Sequence, residues 1–104
     1  SDLMSIESSD LESDNRREGV IVLNAVIHNR APFTQEYPAL ELTLTDERDQ
    51  AVLRRVLASA EYLRGTSDGN LAQGIPAGAE TTLRLHFDTG GLRAVGYRLY
   101  LFYP

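Results

Sequence analysis

The chain contains no cysteine, which removes a disulfide framework, a thiolate metal site and a cysteine nucleophile together. That absence still leaves an oxidising compartment open. Lysine is missing too, so all ten basic residues are arginine. Arginine forks suit fixed carboxylate pairs better than lysine does, and we read the bias as codon usage and surface ion pairs ahead of a dedicated anion site. Long apolar runs are also lacking. The longest, Val20 to Ile27 with Asn24 inside it, falls far short of the roughly 20 residues that a membrane-spanning helix needs.

What is present fits one domain. A chain of 104 residues that is 42% hydrophobic and 24% charged can bury enough surface to fold alone. We take residues 1–104 as a single domain, with an acidic segment over 1–18 leading into a body over 19–104. The formal charge of −5 is uneven. Asp2, Glu7, Asp10, Glu12, Asp14 and Glu18 face only Arg16 and Arg17 at the start, and the body after them is nearly neutral. Nucleic-acid binding wants a basic stripe that displaces counterions. Neither part carries one, so no nucleic-acid partner is expected. The chain opens at Ser1-Asp2 and enters a strand-like pattern almost at once. We therefore expect a fragment whose upstream part, with any targeting segment, is missing.

Alternation of apolar and polar residues marks half-buried strands. It is strict in Leu40-Glu41-Leu42-Thr43-Leu44-Thr45, and it recurs from Thr81 to Phe87 and from Val95 to Tyr103. Val20 to Ile27 is apolar on both faces, as in a central strand covered on each side. Leu3 to Leu11 and Val52 to Leu57 are weaker strands. Turn chemistry separates them at Asn29-Arg30-Ala31-Pro32, Asp46 to Gln50, Arg64 to Gly78 and Asp88-Thr89-Gly90-Gly91. No long helix fits between these stops. The pattern predicts an all-β protein, an antiparallel β-sandwich of the immunoglobulin or fibronectin type with six to seven strands. Asn29 can bond its own backbone at a strand exit, and Pro38 holds Tyr37 extended, so the stretch between them reads as a corner. Gly65 to Gln73, rich in small polar residues, is expected to be the most mobile part of the body.

Chemistry-bearing constellations are sparse. His28 and His86 are the sole imidazoles, stand in no metal-ligand spacing, and read as solvent-facing strand residues. The serines include no G-x-S-x-G elbow. Gly74-Ile75-Pro76-Ala77-Gly78 lacks the G-K-[ST] ending of a phosphate loop and leads into a strand. No catalytic, cofactor or metal residues are assigned, and no cofactor is expected. Adjacent strand residues point to opposite faces, so one of Arg54 and Arg55 should turn toward the sheet interior or its rim and need a carboxylate or carbonyls there. Arg55 is assigned as a structural clamp. Glu61, Tyr62 and Leu63 are assigned as a short turn plugging an open end of the sandwich. Tyr100, Phe102 and Arg98 share one face of the last strand and form a partner-contact surface, since interfaces favour such residues.

The stretches "NRAPFTQEYPALELTLTD", "RRVLASAEYL", the Ile75-Pro76-Ala77-Gly78 turn and the ending "GYRLYLFYP" resemble the DUF3426 family of bacterial proteins. The order and spacing correspond from about Leu11 to Pro104, with one departure at Ser59, where a Pro would precede Glu-Tyr-Leu. The resemblance implies a longer protein with a zinc-ribbon-like finger, a linker, one transmembrane helix, and this domain on the periplasmic side of the inner membrane. It brings no established activity. We therefore expect a non-catalytic domain with an unidentified protein partner, attached to the membrane only through an upstream segment absent from this chain. The alternatives are a carboxylate-based hydrolase and a purely structural spacer.

Overall fold

The structure, a computed structural model, describes residues 3–63 and 73–104. The stretch expected to be most mobile, apart from Gln73, lies outside them. Six strands form: β1 (Met4–Ser13), β2 (Val20–Asn29), β3 (Ala39–Thr45), β4 (Ala51–Leu57), β5 (Glu80–Asp88) and β6 (Gly96–Phe102). A four-residue helix, α1 (Ser59–Tyr62), follows β4. Two antiparallel sheets of three strands, β1-β2-β5 and β4-β3-β6, pack as a sandwich. Among the described residues no helix is long and apolar enough to cross a membrane.

Leu40, Leu42 and Leu44 of β3 face Leu23, Ala25 and Ile27 of β2 and Leu83 of β5 in a common buried cluster, as a side-chain period of two requires. Burying each such leucine contributes about 1.5–3 kcal/mol. β1 keeps its apolar residues inward by skipping one. Its register passes from Ile6 opposite Ile27 to Ser8 opposite Val26, a bulge at Glu7 that shifts the alternation and turns both Met4 and Leu11 to the core. The extra residue puts Glu7 Oε1 2.9 Å from His28 Nδ1. That bond, with a second from Ser5, holds the Glu7 carboxyl below the usual carboxylate range.

Two expectations need correction. β2 is central, but no third layer covers it among the described residues. Its outward Val22 is nevertheless buried, because it lies in register between Glu12 and His86, whose side chains flank it on the same face. Neither Arg54 nor Arg55 is buried. β4 is an edge strand, so Arg55, opposite Leu42, stands exposed at the sandwich rim. It has no ion pair among the described residues and clamps nothing there. Arg54 Nε donates to Glu41 Oε1 at 3.0 Å on the outer face.

One end of the sandwich is organised by Asn29, which is fully buried. Its Nδ2 donates to the carbonyls of Phe33 (2.9 Å), Ile75 (2.8 Å) and Pro76 (3.1 Å). Its Oδ1 accepts from Ala31 N–H (2.9 Å) and Gln35 Nε2 (2.7 Å). Gln35 Nε2 also reaches Leu3 O at 2.9 Å, and Gln35 and Ile75 exchange backbone hydrogen bonds in both directions. The corner is thereby joined to the start of β1 and to the segment before β5. Asn29→Leu leaves buried donors and acceptors without partners, each costing about 1–3 kcal/mol and not strictly additive. Urea denaturation should show a loss on the order of 3–5 kcal/mol; a loss below about 1 kcal/mol would mean the corner is held by packing alone.

Candidate functional site

At the end opposite Asn29 the two sheets part around a cleft of about 1190 Å³. It lies between the β1–β2 turn and the β5–β6 connection. The first turn is set by Asp14, whose Oδ1 accepts from Arg16 N–H at 2.8 Å and whose N–H donates to Val20 O at 2.9 Å. The Arg16 bond, assisted by Arg17, keeps the Asp14 carboxyl below its ordinary range. Gly19 closes the turn at φ 79°, where a side chain would be strained. The second segment is tied to the first by Thr89, whose N–H and Oγ1 both donate to Gly19 O at 2.8 Å. Val95 N–H then reaches Thr45 O at 2.9 Å, and β6 begins at Gly96. A Cβ on Gly96 would stand 2.8 Å from Thr45 Oγ1, so glycine lets β6 lie close against β3.

Leu11, Ile21, Ala94 and Tyr97 line the floor of the cleft and pack against the core. Leu92 and Val95 stand on its lip, 48% and 66% exposed. Tyr97 is fixed across the seam between the sheets by a 2.7 Å hydrogen bond with Ser9 Oγ. The rim has four carboxylates, of Glu12, Asp14, Glu18 and Asp88, against the guanidinium groups of Arg17 and Arg93. The arrangement can hold apolar side chains beneath a ring of net negative charge. Among the described residues no group of three or more His, Asp or Glu is placed to bind one metal ion.

The residues assigned from sequence lie elsewhere. Tyr100 is 56% exposed on the outer face of β6, level with Glu41 and Val56 across β3 and β4. Phe102 is half-buried at the strand end. Arg98 is committed to the β3–β4 turn, with Nη2 donating to Asp49 O at 2.9 Å. These three share a face and take no part in the cleft. His28 and His86 stand on the outer face of the other sheet, His86 lying 3.9 Å from Asp14. The cleft itself was missed because its walls come from two connections about 70 residues apart. Its trace in the sequence is the apolar Leu92 and Val95 within four residues after Gly90-Gly91.

Glu61, Tyr62 and Leu63 lie at the Asn29 end. Glu61 Oε1 accepts from Ala58 N–H at 3.1 Å, half of a capping box, and starts the single turn that carries Tyr62 inward. Tyr62 is fully buried, donates from its hydroxyl to Pro38 O at 2.7 Å, and meets Tyr37 edge-on with ring centroids 6.4 Å apart. Leu63 is buried beside it.

The sequence model of the family described as "Protein of unknown function (DUF3426)" matches residues 1–101. The chain belongs to the DUF3426 family. No curated protein and no solved structure matches it. The DUF3426 match takes in β1 to β5 whole and β6 up to Leu101, so the plug at one end and the cleft at the other both lie inside it.

Burial pushes the Tyr62 hydroxyl well above the ordinary tyrosine range. A group whose folded-state pKa is raised stabilises the fold fully below its unfolded value, near 10, and that stability is lost as pH rises beyond it. Tyr62→Phe should cost about 1–2 kcal/mol through the stranded Pro38 carbonyl and flatten the fall in stability above pH ~10. Tyr62→Ala should cost about 3–5 kcal/mol. Urea melts from neutral to alkaline pH decide this: an unaltered alkaline slope in the Phe variant would contradict the assignment.

Proposed function

We propose that this DUF3426 domain is a non-catalytic interaction module on the periplasmic side of an inner-membrane-anchored bacterial protein, and that it meets a protein partner at the cleft. The cleft carries the reading. A floor continuous with the core, two exposed apolar residues on the lip, and loops held by paired hydrogen bonds make a pre-formed concave surface, the kind that binds with little ordering cost. The placement outside the membrane rests on the family resemblance. An upstream anchor would join next to β1 at the Asn29 end, which points the cleft away from the membrane.

The outer face bearing Tyr100, Phe102 and Arg98 is the weaker contact surface, since Arg98 is already bonded to Asp49 and none of the three lines the cleft. Photo-crosslinking in the full-length protein in living cells separates the two. A photoreactive amino acid replacing Val95 should give a discrete protein adduct, and one replacing Tyr100 should not. Adducts at Tyr100 alone would move the contact to the outer face. Adducts at neither position would overturn the module reading and leave a spacer.

A further inference from the structure

We infer that the cleft and the adjoining edge of β6 together receive an extended partner segment whose apolar side chains are flanked by Lys or Arg. This rests on the interaction-module reading and adds the chemistry of the partner. Of the four edge strands, three are defended against pairing. β1 carries the bulge at Glu7 and the charges of Glu7, Asp10 and Glu12. β4 carries a second bulge, where the register passes from Leu44–Leu53 to Thr45–Ala51, and has Arg54 and Arg55. β5 has α1 beside it and alternates Glu80, Arg84, His86 and Asp88 along its outer side. Bulges, covering elements and charges are the devices that keep an edge from accepting another strand.

Among the described residues β6 has neither a bulge nor a covering helix; β1 of the facing sheet lies alongside it, joined by the Ser9–Tyr97 bond. The register of β6 with β3 runs unbroken from Gly96 to Phe102, among the described residues no strand is hydrogen-bonded to its other side, and its one charge, Arg98, is turned to Asp49. An added strand would find regular backbone groups there, the mode in which main-chain hydrogen bonds supply affinity and pockets for alternate side chains supply specificity. The first pocket it would meet is the cleft, because Gly96 and Tyr97 belong to both.

Charge selects the occupant. Four rim carboxylates against two guanidinium groups, beside a segment that adds Asp10, attract a cationic flank and repel an anionic one. An anionic lipid surface and a nucleic acid carry the wrong sign. A second copy of this chain carries a net charge of −5 and no lysine, and is a poor match.

The test uses two fluorescein-labelled peptides with the same alternating Leu and Val centre, one bounded by Lys and the other by Glu. Anisotropy at low salt should show saturable binding of the Lys peptide, with the Glu peptide at least about tenfold weaker, and a several-fold loss at high salt. Amide shifts should fall along β6 and at Leu92 to Val95. Glu12→Lys combined with Glu18→Lys, both on exposed side chains, should abolish the preference for Lys, and Val95→Ser should weaken both peptides while circular dichroism stays unchanged. Equal affinity for the two peptides, shifts centred on Tyr100 and Val56, or dimerisation of the chain through β6 without peptide would each overturn the inference. Failure of both peptides, alongside an adduct at position 95 in cells, would refute the partner chemistry and leave the module reading standing.

Discussion

The carboxamide of Asn29 is the constraint on which the architecture turns. A buried amide with every donor and acceptor engaged fixes the relative positions of the segments that supply its partners, since shifting any of them strands a polar group away from water. Here those segments are the corner after β2, the Ile75–Pro76 stretch and, through Gln35, the start of β1. With that end fixed, Ile75, Tyr62 and Leu63 close over the core. The opposite end, ~30 Å away along the nine steps of β2 at about 3.3 Å each, is left without a plug. Among the described residues the core is therefore closed at the Asn29 end, with a smaller depression of about 420 Å³ outside it beside Gln35 and Tyr37, and open at the other.

That asymmetry relates fold to function. The sealed end holds buried polar groups and a tyrosine whose hydroxyl has a partner, features that favour one arrangement over alternatives. Both ends expose apolar side chains, Leu3 and Phe33 at the Asn29 end and Leu92 and Val95 at the other, and it is Leu92 and Val95 that border the cleft. Its loops are fastened to each other through Thr89 and Gly19 and to the sheet through Val95 and Thr45, so the exposed surface is held in shape. The edge strands follow the same division, with β1, β4 and β5 each defended and β6 regular beside the cleft.

Much of the architecture was legible in the sequence because it is written in local periodicity. The alternation in β3, β5 and β6 specifies which residues face the core without reference to anything distant. β1 was fainter for a physical reason: the bulge at Glu7 breaks the period, so Met4 and Leu11 no longer share parity although both face inward. The role of Asn29 as a corner residue could be read locally, but its acceptors at Phe33, Ile75 and Pro76 could not, as two of them lie more than 40 residues away. Arg55 misled because parity predicts a direction and not a depth; on an edge strand an inward direction still ends in solvent. The cleft is a property of two turns meeting, which no single stretch encodes.

The claim that Asn29 holds the sealed end is tested most directly by native-state hydrogen exchange. The backbone N–H groups of Ala31, Gln35 and Ile75, which lie outside the six strands but inside the Asn29 network, should exchange only through global unfolding, with protection equal to that of Leu23 and Leu42. Exchange of those three at the rate of an ordinary surface turn, while the strands stay protected, would show that the end opens independently and that the carboxamide does not fix it.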